Sequence, residues 1–328
     1  MIPNDHTRIG IIGAGAWAAE VLACLQQMRR VRVTGIYNRT LQKATQLAER
    51  FGVDRVFERL EALCAAPDVD AVMVLTHESA HLEPTIRALE AGKHVFVEKP
   101  MADTVEAARR MAEAARQSRR ILMPGHLLRF TEQCRAVKLQ LDQAGPVRAI
   151  RCHQHRTKSL YATYCKPHIA LSLLIHHLDL CRWLIGCKAE RVMTWERFHL
   201  GPDYPSSVWA VLEFENAAVA TLQSGWVLGG QQPSFWEDQI EVLTDEERMT
   251  LAFNEGCEIR GGSALAWPDV SYGPALRAEM EHWLAQVEGQ TPAVVVSADD
   301  GVEAVALASR VIVAGTGSRP PNRSGVTP

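Results

Sequence analysis

No Cys-x-x-Cys pair occurs in this sequence, and its eight cysteines (Cys24, Cys64, Cys134, Cys152, Cys165, Cys181, Cys187 and Cys257) are scattered. That distribution argues against a thiol redox motif, a zinc ribbon or a disulfide framework, and predicts reduced thiols in a cytoplasmic protein. No apolar run approaches the roughly 18 residues that a membrane span needs. Met1–Arg8 is polar and runs into a strand, which is not the pattern of a signal peptide. A net charge of −3 provides no broad basic field, so nucleic acid is not an expected partner. No internal repeat is found. What is present is an ordinary globular composition, 47% hydrophobic and 22% charged over 328 residues, with length for about two domains.

The most informative stretch is Arg8-Ile9-Gly10-Ile11-Ile12-Gly13-Ala14-Gly15-Ala16-Trp17-Ala18. Read as G-x-G-x-x-A, it uses Gly13, Gly15 and Ala18. Gly13 turns the chain sharply out of a strand, Gly15 lets a pyrophosphate approach the backbone, and Ala18 allows close helix-on-strand packing. The following helix offers unpaired N–H donors and a partial positive charge. An ordinary glycine turn is the alternative. The strand before it, the helix pattern Glu20–Met28 and the next strand favour a dinucleotide site, with Ala16 and Trp17 in its first turn.

Along the chain, strands at Val31–Tyr37, Ala71–Leu75, His94–Val97 and Ile121–Met123 alternate with helices at Leu41–Phe51, His81–Ala91 and Asp103 or Thr104 to Gln117. The run AVMVL is continuously apolar, as expected of a parallel strand buried on both faces. The pattern predicts an α/β fold, a Rossmann doubly wound parallel sheet over residues 1–124. Ligands on such sheets sit at the carboxyl ends of the strands. After Pro124 the pattern changes. Helices at Thr131–Leu141 and Leu171–Ile185 and strands at Val147–Gln154, Arg191–Phe198, Val208–Phe214, Ala218–Val227, Gln239–Leu243 and Arg248–Phe253 predict an α+β domain on a largely antiparallel open sheet. Helices at Ala275–Glu288 and Ala298–Val313 follow, the second capped by Ser297. The expected boundaries are 1–124, 125–314 and a flexible tail, 315–328.

The end of the second strand reads Tyr37-Asn38-Arg39-Thr40. NAD enzymes usually place a carboxylate there, which accepts from the ribose hydroxyls and repels a 2′-phosphate. None is present. Asn38 and Thr40 can donate to a phosphate, and Arg39 can pair with it or stack on adenine. With Lys43 further on, the run also resembles the NADP-binding loop of shikimate dehydrogenases. The alternative is that Arg39 is a solvated surface residue. The expected cofactor is NADP, with NAD second.

The stretch Ala91-Gly92-Lys93-His94-Val95-Phe96-Val97-Glu98-Lys99-Pro100 places a lysine just past a buried strand. Together with G-x-G-x-x-A it resembles the Gfo/Idh/MocA family of glucose–fructose oxidoreductases, inositol dehydrogenases and relatives. Thr76 and His81 fit the family's Thr-Pro then His pattern, with His77 in place of the proline, and the resemblance implies that Thr76, His77 and His81 contact the cofactor. Ile175-His176-His177-Leu178-Asp179-Leu180, with Trp183-Leu184-Ile185-Gly186, is similar to its H-x-x-D signature. The resemblance implies hydride transfer between nicotinamide and the carbinol carbon of a sugar, sugar acid or cyclitol. It implies Lys99 as catalytic lysine, His176 as catalytic histidine and Glu98 closing around the nicotinamide. A lowered-pKa lysine or a neutral histidine can take the alcohol proton as hydride leaves. One departure stands out. The inositol dehydrogenase branch has an Asp four residues before this histidine, and here that residue is Ser172. Asp179, one turn on, can orient His176 or simply hold the helix. The change argues for a substrate other than myo-inositol.

Arg129 lies in Gly125-His126-Leu127-Leu128-Arg129-Phe130, which resembles a family segment near the interdomain cleft, and is a candidate substrate contact. Arg156, Lys158, Tyr161, Tyr164 and His168 form a polar, aromatic and basic cluster suited to hydroxyls or a carboxylate, with a solvated loop as the alternative. His153-x-His155 points both rings to one face of a strand, but no carboxylate or cysteine accompanies them at ligand spacing, so no metal is expected. Trp226, Phe235 and Trp236 near Gly229-Gly230 line a pocket or an interface, or pack in the core. The sequence therefore predicts an NAD(P)-dependent dehydrogenase, a homodimer or homotetramer through an uncovered sheet face. Two rival readings are a hydrolase or isomerase with a retained cofactor, and a non-catalytic sensor of nucleotide and sugar.

Overall fold

The computed structural model describes residues 6–164, 166–229, 236–253, 257–259, 265–267 and 272–316. Gly230, Phe235, the Trp236 side chain and the tail from 317 lie outside the described residues. The chain divides into two compact units, Met1–Glu132 with Ser271–Val305, and Gln133–Val270 with Ala306–Pro328. Thus the stretch 271–305 joins the first unit, where the sequence boundaries put it in the second.

The first unit begins β1 (Thr7–Ile12), α1 (Ala16–Gln26), β2 (Val31–Tyr37), α2 (Leu41–Phe51), β3 (Val56–Phe57), α3 (Leu60–Ala65) and β4 (Ala71–Val74). It continues through α4 (Leu82–Glu90), β5 (His94–Val97), α5 (Val105–Ser118) and β6 (Leu122–Pro124). The six strands run parallel in the order β3-β2-β1-β4-β5-β6. The chain first winds outward from β1 through β2 and β3, then returns to the other side of β1 with β4. That reversal makes a crevice at the carboxyl ends of β1 and β4, where doubly wound sheets hold ligands. The pleat sorts the apolar strand residues. Ile9, Ile11, Met73 and Phe96 face one core with α1 and α2, while Val72, Val74, Val95 and Val97 face another with α3, α4 and α5. β3 and α3 went unread in the sequence because a two-residue strand has no measurable period. Helix ends follow local chemistry. Thr104 accepts from the Ala107 N–H at 3.2 Å and caps α5, and Gly52 closes α2 in the left-handed region at φ 62°.

The second unit contains α6 (Glu132–Ala144), β7 (Val147–Thr157), α7 (Tyr161–Tyr164), α8 (Ile169–Ser172) and α9 (Ile175–Ile185). Strands β8 (Ala189–Arg197), β9 (Ser207–Phe214), β10 (Val219–Leu228), β11 (Trp236–Thr244) and β12 (Arg248–Ala252) follow, then a small pair, β13 (Cys257–Ile259) and β14 (Leu265–Trp267). The large sheet has the order β12-β11-β7-β10-β9-β8. Every pair is antiparallel except β7 with β10. One face carries buried Ile150, Cys152, Ala210, Leu212, Leu222, Ile240 and Leu251. The other presents Arg151, Met193, Trp195 and Thr221. The helix expected over 171–185 is two helices, separated by a turn at Leu173 and Leu174, where φ of Leu173 stretches to −111° and the Leu174 N–H bonds five residues back to the Ile169 oxygen.

Two long helices close the chain, α10 (Tyr272–Val287) and α11 (Ala298–Gly315). The apolar face of α10, Ala275, Leu276, Met280, Trp283, Leu284 and Val287, belongs to the same buried cluster as α1 and Phe96. That burial is why residues 271–305 join the first unit. Ser297 caps α11, its hydroxyl accepting from the Asp300 N–H at 3.1 Å.

Candidate active site

Gly13 follows β1 with φ +115°, and a Cβ there would lie 2.5 Å from the Leu75 carbonyl oxygen. Only glycine fits that turn. Gly15 differs, since a Cβ would meet nothing within 4 Å. It is the N-cap residue of α1, no side chain caps the helix, and its first turn holds no acidic residue. The first N–H groups of α1 are thus left without a side-chain cap, and the space over Gly15 is open, a combination that suits a pyrophosphate. Trp17 is 37% exposed and donates from Nε1 to Glu98 Oε1 at 2.5 Å. The turn after β1 thus leads into a helix start with no side-chain cap, beside a buried carboxylate.

Glu98 and Lys99 come directly after β5. Glu98 is buried, and its Oε2 accepts from the Lys99 backbone N–H at 3.0 Å. Burial raises its pKa, while Lys99 and the Trp17 bond oppose the rise. Lys99 is half-buried beside the carboxylate that Trp17 anchors. His81 is different from the sequence expectation of a cofactor contact. It is buried, with Nδ1 3.0 Å from the Pro100 oxygen and Nε2 3.0 Å from the Thr76 oxygen. Burial lowers its pKa, while the backbone oxygens around it oppose the fall, and the ring ties the loop after β4 to the Lys99-Pro100 segment. Thr76 Oγ1 donates to the Ala80 oxygen at 3.3 Å, and exposed His77 meets Glu78 and Ser79. Lys93, part of the family-like lead-in, donates to the Ala66 and Val69 oxygens and is a structural tie.

At the end of β2, Asn38 Nδ2 donates to the Thr40 oxygen at 2.9 Å and shapes the loop. Arg39, Thr40 and Lys43 are exposed. Thr40 is the N-cap residue of α2 but makes no side-chain cap bond, so its hydroxyl and the first N–H groups of α2 share that loop with the Arg39 guanidinium.

Arg129 does not present a free guanidinium for substrate. It is 2% exposed, donates to the Val295 oxygen at 2.8 Å and lies 3.3 Å from Asp300. Burial of an arginine requires such acceptors, and these hold the segment before α11.

The second unit carries the other candidates. His176 sits in the first turn of α9, and Asp179, three residues on, is buried. Ser172 Oγ donates to the His168 oxygen at 3.4 Å. His168 itself is largely occupied: Nδ1 accepts from the Ala170 N–H at 3.1 Å, and Nε2 meets buried Glu196 at 2.9 Å. It caps α8, a positional role that the expectation of substrate contact did not include. Tyr161 donates to the Tyr204 oxygen at 2.7 Å. Arg156 donates to the His155 oxygen and approaches Asp238 at 4.0 Å. Trp226, paired in register with Arg156, stacks on the exposed Tyr164 ring. Arg156, Trp226 and Tyr164 therefore cluster at one end of β7 and β10, whereas Tyr161 and His168 are tied elsewhere.

Three features were not read from the sequence. Glu237 on β11 bonds both His153 (3.2 Å) and His155 (2.8 Å), a carboxylate supplied by strand pairing. His177, next to His176, is fully buried 2.8 Å from Asp238, which also accepts from Gln154. Only the doubled histidine hinted at it. Glu279 of α10 is 1% exposed, and neither carboxyl oxygen has a hydrogen-bond partner among the described residues.

Residues 7–126 match the family model described as an oxidoreductase family with an NAD-binding Rossmann fold, and residues 135–250 match the same family's C-terminal domain. The chain belongs to the Gfo/Idh/MocA oxidoreductase family. An inositol 2-dehydrogenase of Klebsiella pneumoniae is 33% identical over 184 residues, which span 55% of this chain and 54% of that protein. The match thus spans about half the length of such curated relatives. Among solved structures, a UDP-N-acetylglucosamine 3-dehydrogenase from Acidithiobacillus ferrooxidans superposes with TM-score 0.83 at 24% identity, covering 95% of this chain and 99% of that one. A scyllo-inositol dehydrogenase from Lactobacillus casei, solved with NAD(H) and scyllo-inositol, gives TM-score 0.82 at 20% identity, covering 95% and 97%. At those identities the likeness establishes the fold of this Gfo/Idh/MocA chain.

Proposed function

We propose that this family member is an NAD(P)-dependent dehydrogenase that oxidises a secondary hydroxyl of a sugar, sugar acid or cyclitol. The observation that carries the reading is the uncapped helix after Gly15, with Trp17 bonded to Glu98 and Lys99 directly following. The inositol 2-dehydrogenase relatives support the substrate class. When bound, the nicotinamide would accept the hydride. Gly13, Gly15, Ala16 and Trp17 would hold the pyrophosphate side, and Thr76 and Glu98 would flank the nicotinamide side. Lys99 and His176 would take the hydroxyl proton, since an alcohol releases one only as hydride departs. Arg156, Ser172 and Asp179 would orient the polyol or the histidine. The Asn38–Thr40 loop, with no carboxylate and with exposed Arg39, favours NADP over NAD.

No helix among the described residues is long and apolar enough to cross a membrane, and reduced cysteines favour the cytoplasm. The face of the large sheet bearing Met193 and Trp195, 52% and 45% exposed, favours a homodimer or homotetramer. A second reading is a nucleotide- and sugar-binding sensor, favoured by Ser172 at the position where the family resemblance implies an Asp in inositol dehydrogenases. Nicotinamide absorbance with a panel of polyols, measured for the wild type and Lys99→Ala, separates the two. The dehydrogenase reading expects reduction that the variant loses, whereas a sensor gives ligand binding without reduction in either protein.

A further inference from the structure

Glu279 is a buried carboxyl that the hydride-transfer reading leaves without a task. It is 1% exposed, and both of its oxygens lack hydrogen-bond partners among the described residues. Fully formed proteins seldom keep such a group, because leaving it unbonded is costly and an isolated charge there costs far more. Its surroundings locate it. One turn along α10, Trp283 packs edge-on against Phe96 at 5.8 Å. Phe96 lies two residues before Glu98 on β5. A Cβ on Gly125 would lie 2.9 Å from the Phe96 ring and 3.2 Å from Glu98 Oε1, so these groups are neighbours. Glu98 in turn holds Trp17 in the first turn of α1. The orphan carboxyl therefore stands behind the cradle of the dinucleotide.

We propose that Glu279 and Glu98 form a buried carboxyl pair in which Glu279 holds the single proton, without a hydrogen bond to Glu98, and releases it when a cationic ring is seated beside Glu98. Glu98 has two donors to it, from Trp17 and the Lys99 backbone, and so suits the ionised form. Glu279 has none and suits the neutral acid. Burial, then the charge of Glu98, both push the Glu279 pKa well above the carboxylate range. An oxidised nicotinamide carries a positive charge that the reduced form lacks. Seating that cation in a low-dielectric site favours a second carboxylate, so the O–H bond of Glu279 breaks and its proton leaves to solvent. The reduced cofactor requires no such release. The pair thus couples the redox state of the cofactor to a proton, a property that rests on the dinucleotide reading above.

Other groups around Glu279 are accounted for. From α1 comes Cys24, whose thiol pKa is raised by burial first and would be raised further by an ionised Glu279. On the segment 126–130 stand His126 and Arg129, the latter paired with Asp300. On α10 itself Arg277 pairs with Glu281, and His282 stacks on Phe130. Beside Glu98 lies Lys99, which could also lose a proton to a nearby cation, so the Glu279→Gln variant is the discriminating comparison.

The test has two readouts. Infrared spectra of the nucleotide-free protein at neutral pH should contain the carbonyl stretch of an un-ionised carboxylic acid, absent in Glu279→Gln. Calorimetric titration in buffers of different ionisation enthalpy should show about one proton more released for the oxidised than for the reduced cofactor, a difference lost in the variant. If Glu279→Gln does not fold, Glu279→Met, which replaces an unbonded carboxyl with an apolar chain, carries the same comparison. No acid band, an equal proton count for both cofactor forms, or an unchanged difference in the variants would overturn the proposal. An intact band with no nucleotide binding would sink the dinucleotide reading and the release step with it, while leaving the paired acid in place.

Discussion

On the proposed function, Lys99 carries the proton chemistry and Gly13 the geometry of the nucleotide turn. Removing a positioned proton acceptor commonly lowers turnover by about 10²–10⁴-fold, so Lys99→Ala should lose that much in kcat. Nucleotide binding, followed by quenching of Trp17 fluorescence, should survive, because the phosphate cradle is built from Gly13, Gly15 and the first turn of α1. Gly13→Ala should behave in the opposite way. At φ +115°, with its Cβ 2.5 Å from a backbone oxygen, alanine meets both strain and a clash, roughly 1–3 kcal/mol for the backbone conformation alone. Thermal melts should show a lower Tm, and titration should show weakened nucleotide binding. At the adenosine end, Arg39→Ala should weaken NADP roughly 10–100-fold, the loss of a charge-assisted bond, and leave NAD nearly unchanged. Equal effects on both nucleotides would mean that Arg39 is a solvated surface residue.

Elements show how far local sequence carries. The helix Leu41–Phe51 and the strands Val31–Tyr37 and His94–Val97 have the bounds that their periodicity predicts. Their apolar residues repeat at one clear interval, and glycine or a capping residue ends them. The break at Leu173 was not legible, because the Leu-Ser-Leu-Leu-Ile run suits a helix throughout. His81 and His168 were read as ligand contacts from a motif and a cluster. Their partners, the Pro100 and Thr76 oxygens and Glu196, are brought in by tertiary folding. His94 gives a test at this scale. Its Nδ1 accepts from the Ile121 N–H at 3.2 Å, joining the start of β5 to β6. Burial first, then Arg120, depress its pKa from 6.5 to about 4. The unfolded chain therefore binds the proton more readily, and the stability that neutral His94 contributes is present above pH 6.5 and lost as pH falls towards 4. His81 shifts in the same direction. Melting curves across that window should show Tm falling with pH, and His94→Asn, which keeps an acceptor but cannot titrate, should flatten the slope.

On the scale of the whole molecule, the class of each unit was legible because strand–helix alternation and short strand connections are topological signals. The order of the large sheet was not. β7 lies between β11 and β10 and pairs with β10 in parallel, an insertion that no local pattern encodes. Nor did the sequence reveal that α10 serves the first unit's core, since its apolar face does not name its partner. The uncovered sheet face carries a prediction of its own. If it joins copies of the chain, Trp195→Glu should shift the sedimentation coefficient to that of a monomer of 36.3 kDa while the melting temperature stays near that of the wild type. A monomeric wild type would contradict the assembly.

The most direct measurement of the central claim is nicotinamide absorbance of the purified protein with sugars, sugar acids and cyclitols, NADP and NAD in parallel. The account predicts reduction with one polyol class, faster with NADP. Reduction with NAD alone would contradict the cofactor preference and keep the chemistry. No reduction with any polyol, by protein that binds nucleotide, would contradict the dehydrogenase itself.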